Sequence, residues 1–162
     1  TYDFKTGLYL YKNFQIRAHK EFARCKRFNE VFSLIMIDLD HFKKLNDTYG
    51  HNQGDIVLTG LGKIIQDSIR EIDIASRFGG EEFIILCPET NKEQANVLAE
   101  RLQQKLRDHE FPGQDFPLKV TASFGVVELD AEKDNNLTHI LERVDEALYK
   151  SKENGRDLIT LG

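Results

Sequence analysis

Two cysteines in 162 residues leave no basis for a disulfide framework. Cys25 falls in a helical pattern and Cys87 ends an apolar, strand-like run, so both read as reduced, buried side chains of a cytoplasmic chain. No basic excess is present: 22 Lys and Arg stand against 27 Asp and Glu, a net charge of −5, which removes the electrostatic footprint of a duplex-binding protein. Any phosphate must therefore be met locally, and no nucleic-acid partner is expected. Apolar runs are short; Val31 to Ile37 is far below the about 20 residues a membrane span needs, and no signal-peptide pattern opens the chain. No membrane contact is expected of this segment. The phosphate-cradling GxxxxGK[ST] loop is missing, and no G-x-G-x-x-G follows a strand. His19, His41, His51, His109 and His139 show neither metal-ligand spacing nor a nucleophile partner, which argues against a zinc site or a Ser-His-Asp triad. Internal repeats and linkers are absent as well.

What is present is one domain's worth of chain, 40% apolar and 30% charged, able to bury roughly 70% of its unfolded surface without a staple. Its first residue is Thr rather than Met, so residues 1–162 are expected to be one domain of a longer protein with an N-terminal sensory region. Phe14, Ala18, Phe22 and Cys25 recur at helical spacing within Tyr11 to Asn29. Val31 to Asp40 is nearly continuous in apolar residues, as in a central strand buried on both faces. A polar, Gly-punctuated stretch runs from His41 to Gly54, and a helix is expected over Asp55 to Arg70. Ile72 to Phe78 and Glu82 to Cys87 read as a hairpin joined through Gly79 and Gly80. A helix over Lys92 to Arg107, a loop over Phe111 to Pro117 and a strand over Leu118 to Leu129, interrupted by Gly125, come next. An acidic loop, a helix from about Leu137 to Lys152 capped by Gly155, and a strand over Leu158 to Leu161 close the chain. The order α-β-α-β-β-α-β-α-β predicts an α/β (α+β) sandwich of the split βαβ kind: one mixed sheet with helices on its faces.

Asp38 and Asp40 are two apart at a strand end and leave the same face of the sheet. The Gly79-Gly80-Glu81-Glu82 turn presents two more acids at a sheet end. If the turns meet, three or four carboxylates converge, and such a cluster suits Mg²⁺ and metal-assisted phosphoryl or nucleotidyl transfer. Two unrelated solvated acidic turns are the plainer alternative, which these residues alone leave open. Between them lie Lys43, Lys44, Asn46, His51 and Asp55. Lysine can serve phosphate oxygens, and an amide with a carboxylate can satisfy a guanine edge; an ordinary polar loop would read the same way.

Three groups of residues together resemble the GGDEF family of diguanylate cyclases: Arg77-Phe78-Gly79-Gly80-Glu81-Glu82-Phe83, Asp38-Leu39-Asp40-His41-Phe42-Lys43, and Asn46-Asp47 followed by Gly50-His51 and Gly54-Asp55. The similarity runs from Asp3-Phe4-Lys5-Thr6-Gly7-Leu8 to Ala147 through Arg156. It implies a palm-like domain akin to class III nucleotide cyclases, with a central mixed, mostly antiparallel five-stranded sheet. It implies condensation of two GTP into cyclic di-GMP by a homodimer. Two Mg²⁺ per site, with Mn²⁺ as a substitute, would be held by Asp38, the Leu39 carbonyl and Glu81. Glu81 is the implied base, with Glu82 second, and Lys43 would stabilise the transition state. Phe42, Asn46, His51, Asp55, Gly79, Gly80, Lys152 and Arg156 would bind substrate, Asn46 and Asp55 reading guanine. Arg70-Glu71-Ile72-Asp73 resembles the family's RxxD site for inhibition by product, supported by Arg101. A plain ion pair between Arg70 and Asp73, and helix-end cations at Lys152 and Arg156, are the bland readings of those residues. A catalytically silent module binding GTP or cyclic di-GMP is the alternative function, and a cyclase using ATP a second. The chain departs from the family at Lys5, where Leu is common, at Leu10-Tyr11, where Asn-Arg is usual, and at Asp157, where Asn is frequent. The carboxylate of Asp157 is expected to weaken the hold of Arg156 on phosphate. The locale expected is the cytoplasm, either free or as the cytoplasmic part of a membrane-anchored sensor.

Overall fold

The computed structural model describes residues 1–162. Alternation within one strand explains the architecture. In β1 (Phe32–Leu39) every residue is buried. Leu34 and Met36 join a core with Phe14, Ala18, Ile84, Val127, Ile140 and Val144, whereas Ile35 and Ile37 join a second with Val57, Leu61, Phe83, Leu102 and Phe124. The period-two geometry of a strand thus divides β1 between two cores, one on each sheet face. Helices α1 (Tyr11–Phe28) and α5 (Leu137–Glu153) cover the first; α3 (His51–Ser68) and α4 (Lys92–Asp108) cover the second. No helix is long and apolar enough to cross a membrane.

The sheet has five strands in the order β2-β3-β1-β4-β5, with β2 (Ile74–Arg77), β3 (Glu82–Pro88), β4 (Ala122–Glu128) and β5 (Ile159–Leu161). Three pairings are antiparallel, and β4 with β5 is parallel. Both β1 and β2 run against β3, so they are parallel to each other and split by it, as the order of elements predicts.

The segment from His41 to Gly54 is not one irregular stretch. It holds a further helix, α2 (Phe42–Tyr49), and the first turn of α3. Only Phe42 of α2 is buried, so the helix carries no periodic apolar signal. Gly50, at φ 93°, separates the two helices. Nor does Gly125 interrupt its strand. A Cβ there would lie 2.5 Å from the Leu148 amide nitrogen and 2.6 Å from the Val144 carbonyl, so the missing side chain lets α5 press against β4. The end of α5 thereby reaches the end of β1.

Candidate active site

Antiparallel pairing sets Asp38 of β1 opposite Glu82 of β3 and Ser123 of β4. The Leu39 amide donates to the Glu81 carbonyl at 3.2 Å, tying the hairpin turn to the strand end. Arg77 holds that turn from within, its guanidinium donating to the carbonyls of Gly79 and Gly80 at 2.7–3.1 Å. Register alone therefore unites two acidic segments more than forty residues apart. Gly79 and Gly80 are exposed with ordinary backbone angles, and a Cβ on Gly80 would meet nothing within 4 Å. Neither glycine is demanded by the chain's own packing.

Asp38 is buried, and Lys152 at the end of α5 donates to its Oδ2 at 2.7 Å. Burial raises the Asp38 pKa, and Lys152 pulls against that shift. The hydrogen bond to Asp38 raises the lysine in turn, so we read the pair as charged, with Asp38 less stabilised than it would be in water. Glu81 and Glu82 are half-buried, and both are raised, first by burial and then by the charge of Asp38. Three carboxylates thus share one ammonium. No group of three or more His, Cys, Asp or Glu forms a ready-made metal cage. The donor set nevertheless fits Mg²⁺, which takes one or two protein carboxylates and completes its shell with water and substrate phosphate.

Asp40 is a correction to the four-acid cluster. Its carboxylate accepts from the hydroxyls of Thr121 and Ser123, each at 2.6 Å, and from the Asp157 amide at 3.0 Å. It anchors β4 and the turn after α5, and reaches Asp38 only through its charge, which adds to the upward shift there. Asp157 is a second correction. Its side chain pairs with Arg107 at 3.0 Å and accepts from Gln103, so that carboxylate is engaged by α4 rather than by Arg156. Arg156 is exposed, at φ 64°, and its charge reaches Asp38.

On the neighbouring helices, Lys43 and His51 are exposed, Phe42 is buried in the core, and no side chain caps the start of α2, so its first amides face outward unclaimed by a cap. The Asn46 Oδ1 is buried without a hydrogen-bond partner. It lies where a Cβ on Gly54 would be, only 1.9 Å from that position, so Gly54 makes the cradle for Asn46. Asp55, next along, is bonded by Lys5 at 2.8 Å. The sequence marks Lys5 only as a departure, and nothing near either residue signals this contact.

The second constellation lies at the other end of the β2–β3 hairpin. Arg70 donates through its backbone amide and its guanidinium to the buried Asp73, and also to the Pro88 carbonyl and Thr90 hydroxyl. The guanidinium is raised by this bond to Asp73. The plain ion pair is thus present, and beside it lies a cavity of about 210 Å³ lined by Arg70, Asp73 and Arg101. Arg101 donates to the Ser68 carbonyl at 2.6 Å. The thiols are bystanders: burial pushes Cys25 and Cys87 up to about 12.

A buried acid at a strand end, two further acids and two cations thus stand together at one end of the sheet of an α/β domain. The family model described as "Diguanylate cyclase, GGDEF domain" matches residues 1–158, and the chain belongs to that family. It is 42% identical over 132 residues to diguanylate cyclase A of Treponema denticola, a match covering 82% of this chain and 35% of that protein's length. The GGDEF domain of DgcB from Caulobacter crescentus, solved in complex with c-di-GMP, superposes with a TM-score of 0.94 at 28% identity, covering 99% of this chain and 95% of that one. The active GGEEF domain of a diguanylate cyclase from Vibrio cholerae superposes at 0.84 with 39% identity, over 90% and 92% of the two chains.

Proposed function

We propose that the chain is an active diguanylate cyclase domain that, as a homodimer holding one GTP per subunit, joins two GTP into cyclic di-GMP and releases two pyrophosphates. The meeting of Asp38, Glu81 and Glu82 with Lys152 and Arg156 at one end of β1 carries this reading.

Two Mg²⁺, or Mn²⁺ in their place, would be held by Asp38, the Leu39 carbonyl and Glu81, and would there supply positive charge for the triphosphate and for the attacking 3′-hydroxyl. The chain's own residues do the rest. Glu81 accepts the hydroxyl proton; burial beside Asp38 has raised its basicity, and Glu82, shifted the same way, is the second candidate. The 3′-oxygen bonds to the α-phosphorus as the bond from that phosphorus to the bridging oxygen breaks, and pyrophosphate leaves. Lys152 exchanges Asp38 for the β- and γ-phosphates, Arg156 joins it, and Lys43 meets the charge developing at the reacting phosphorus. The amides of Phe42 and Lys43 at the start of α2 serve phosphate oxygens. Gly79 and Gly80 let the turn lie against substrate. His51 lines the base pocket, where Asp55 and Asn46 accept and donate along the guanine edge. Adenine, with an acceptor at N1, would face Asp55 lone pair to lone pair and is disfavoured. Product binds at Arg70, Asp73 and Arg101 and stops turnover, its guanines stacking on guanidinium.

The test is incubation with GTP and Mg²⁺ over a range of protein concentrations, with products resolved by chromatography. Cyclic di-GMP formed at a rate rising steeply with concentration supports the dimeric cyclase. GTP binding without product at any concentration would instead make the chain a silent binding module. ATP competing as well as GTP would overturn the assigned base readout.

A further inference from the structure

Residues 1–9 do not trail from the domain. The Asp3 carboxylate accepts from the Thr6 amide and hydroxyl, and Tyr2 bridges to Tyr9. On α3, Gln66 donates to the Thr6 carbonyl at 2.6 Å, and a Cβ on Gly62 would strike Thr6. This turn is therefore seated on the helix that carries Asp55. From it Lys5 reaches across 50 residues of sequence to place its ammonium 2.8 Å from Asp55 Oδ1, and Asp55 makes no other side-chain hydrogen bond.

We propose that Lys5 is a built-in competitor for the base-reading carboxylate, holding Asp55 against guanine until the ammonium is displaced. The idea rests on the GTP reading above. A guanine edge offers two adjacent N–H donors, N1 and N2, and a carboxylate accepts from both most strongly when its full charge and one lone pair of each oxygen are turned to them. An ammonium on Oδ1, itself only a donor, takes one of that oxygen's lone pairs and offsets the carboxylate's charge, so acceptance from guanine is weakened until Lys5 swings out. An uncharged side chain at position 5 could not compete. Lys5 and Asp55 are 34% and 43% exposed, so the pair is worth what a surface ion pair is worth, which caps the effect at about fivefold in affinity.

The experiment is titration calorimetry with Mg²⁺ and α,β-methylene-GTP, which binds without reacting, on wild type, Lys5→Met and Lys5→Arg. Lys5→Met is expected to bind about 2- to 5-fold tighter, Lys5→Arg to return to wild type, and the gain to shrink as salt screens the pair. In an Asp55→Asn background Lys5→Met should change nothing, which a merely structural role for Lys5 would not produce. In turnover the gain should appear in KM. Equal or weaker binding by Lys5→Met, with wild type binding normally, overturns the competition alone. Absence of binding in every variant overturns the GTP reading, and the competition with it.

Discussion

Replacing Gly54 by Ala separates folding from base recognition. An alanine Cβ would stand 1.9 Å from Asn46 Oδ1, 2.9 Å from its Cγ and 3.1 Å from Phe42 Cζ, so Asn46 must leave its seat. The nearest atoms belong to the end of a side chain on the half-buried face of α2 and not to backbone, so rotation of Asn46 can relieve the clash. Removing a glycine from a helix is itself worth about 1 kcal/mol to the folded state, which offsets the cost of that rotation. Stability should therefore stay within about 1 kcal/mol of wild type. Base recognition has no such offset: a donor or acceptor of guanine loses its partner, at about 1–2 kcal/mol, or roughly a 5- to 30-fold rise in the KM for GTP. Thermal unfolding followed by circular dichroism, with initial rates over a range of GTP concentrations, reads both effects. An unchanged KM in a well-folded variant would refute the role of Asn46 at the base. Loss of fold would show that Phe42, not Asn46, decides whether the site can yield.

Lys152→Met should lower kcat/KM roughly 10- to 100-fold, the worth of one hydrogen bond to a charged group, as read by the rate of pyrophosphate release. Mg²⁺ should raise the Tm of wild type but not of Asp38→Asn, and a chelator should abolish the difference; equal shifts in both would place the cation elsewhere. Arg70→Ala should relieve inhibition by micromolar cyclic di-GMP while lowering the Tm by the cost of about 1–3 kcal/mol for leaving Asp73 buried without its guanidinium. Unchanged product inhibition would remove that site. The thiols provide a pH check. Folding raises both to about 12, so their contribution is complete below the ordinary value near 9 and is lost as pH climbs toward 12. Below pH 9 the native protein should react with a thiol reagent only as fast as it opens.

Much of this chain is legible residue by residue, because burial imposes a period on neighbours. The unbroken apolar run before Asp38 announced a strand covered on both faces, and α1, α4 and α5 declared themselves by residues three and four apart. The helix α2 escaped because one buried phenylalanine makes no period. Asp40 looked equivalent to Asp38 because a strand's alternation reports which face a side chain leaves, not what waits there. The hydroxyls of Thr121 and Ser123, brought alongside by β4, made one acid an anchor and left the other to Lys152.

The amino-acid sequence by itself determined the order of elements apart from α2, the stock of acids and cations, and the motif that carries the family. Tertiary structure alone decided who pairs with whom: Lys152 with Asp38, Asp157 with Arg107, and Lys5 with Asp55. The division has a physical cause. Periodicity is a property of neighbours a few residues apart, whereas an ion pair is chosen by register and helix placement between segments 50 to 114 residues distant, which no local pattern encodes.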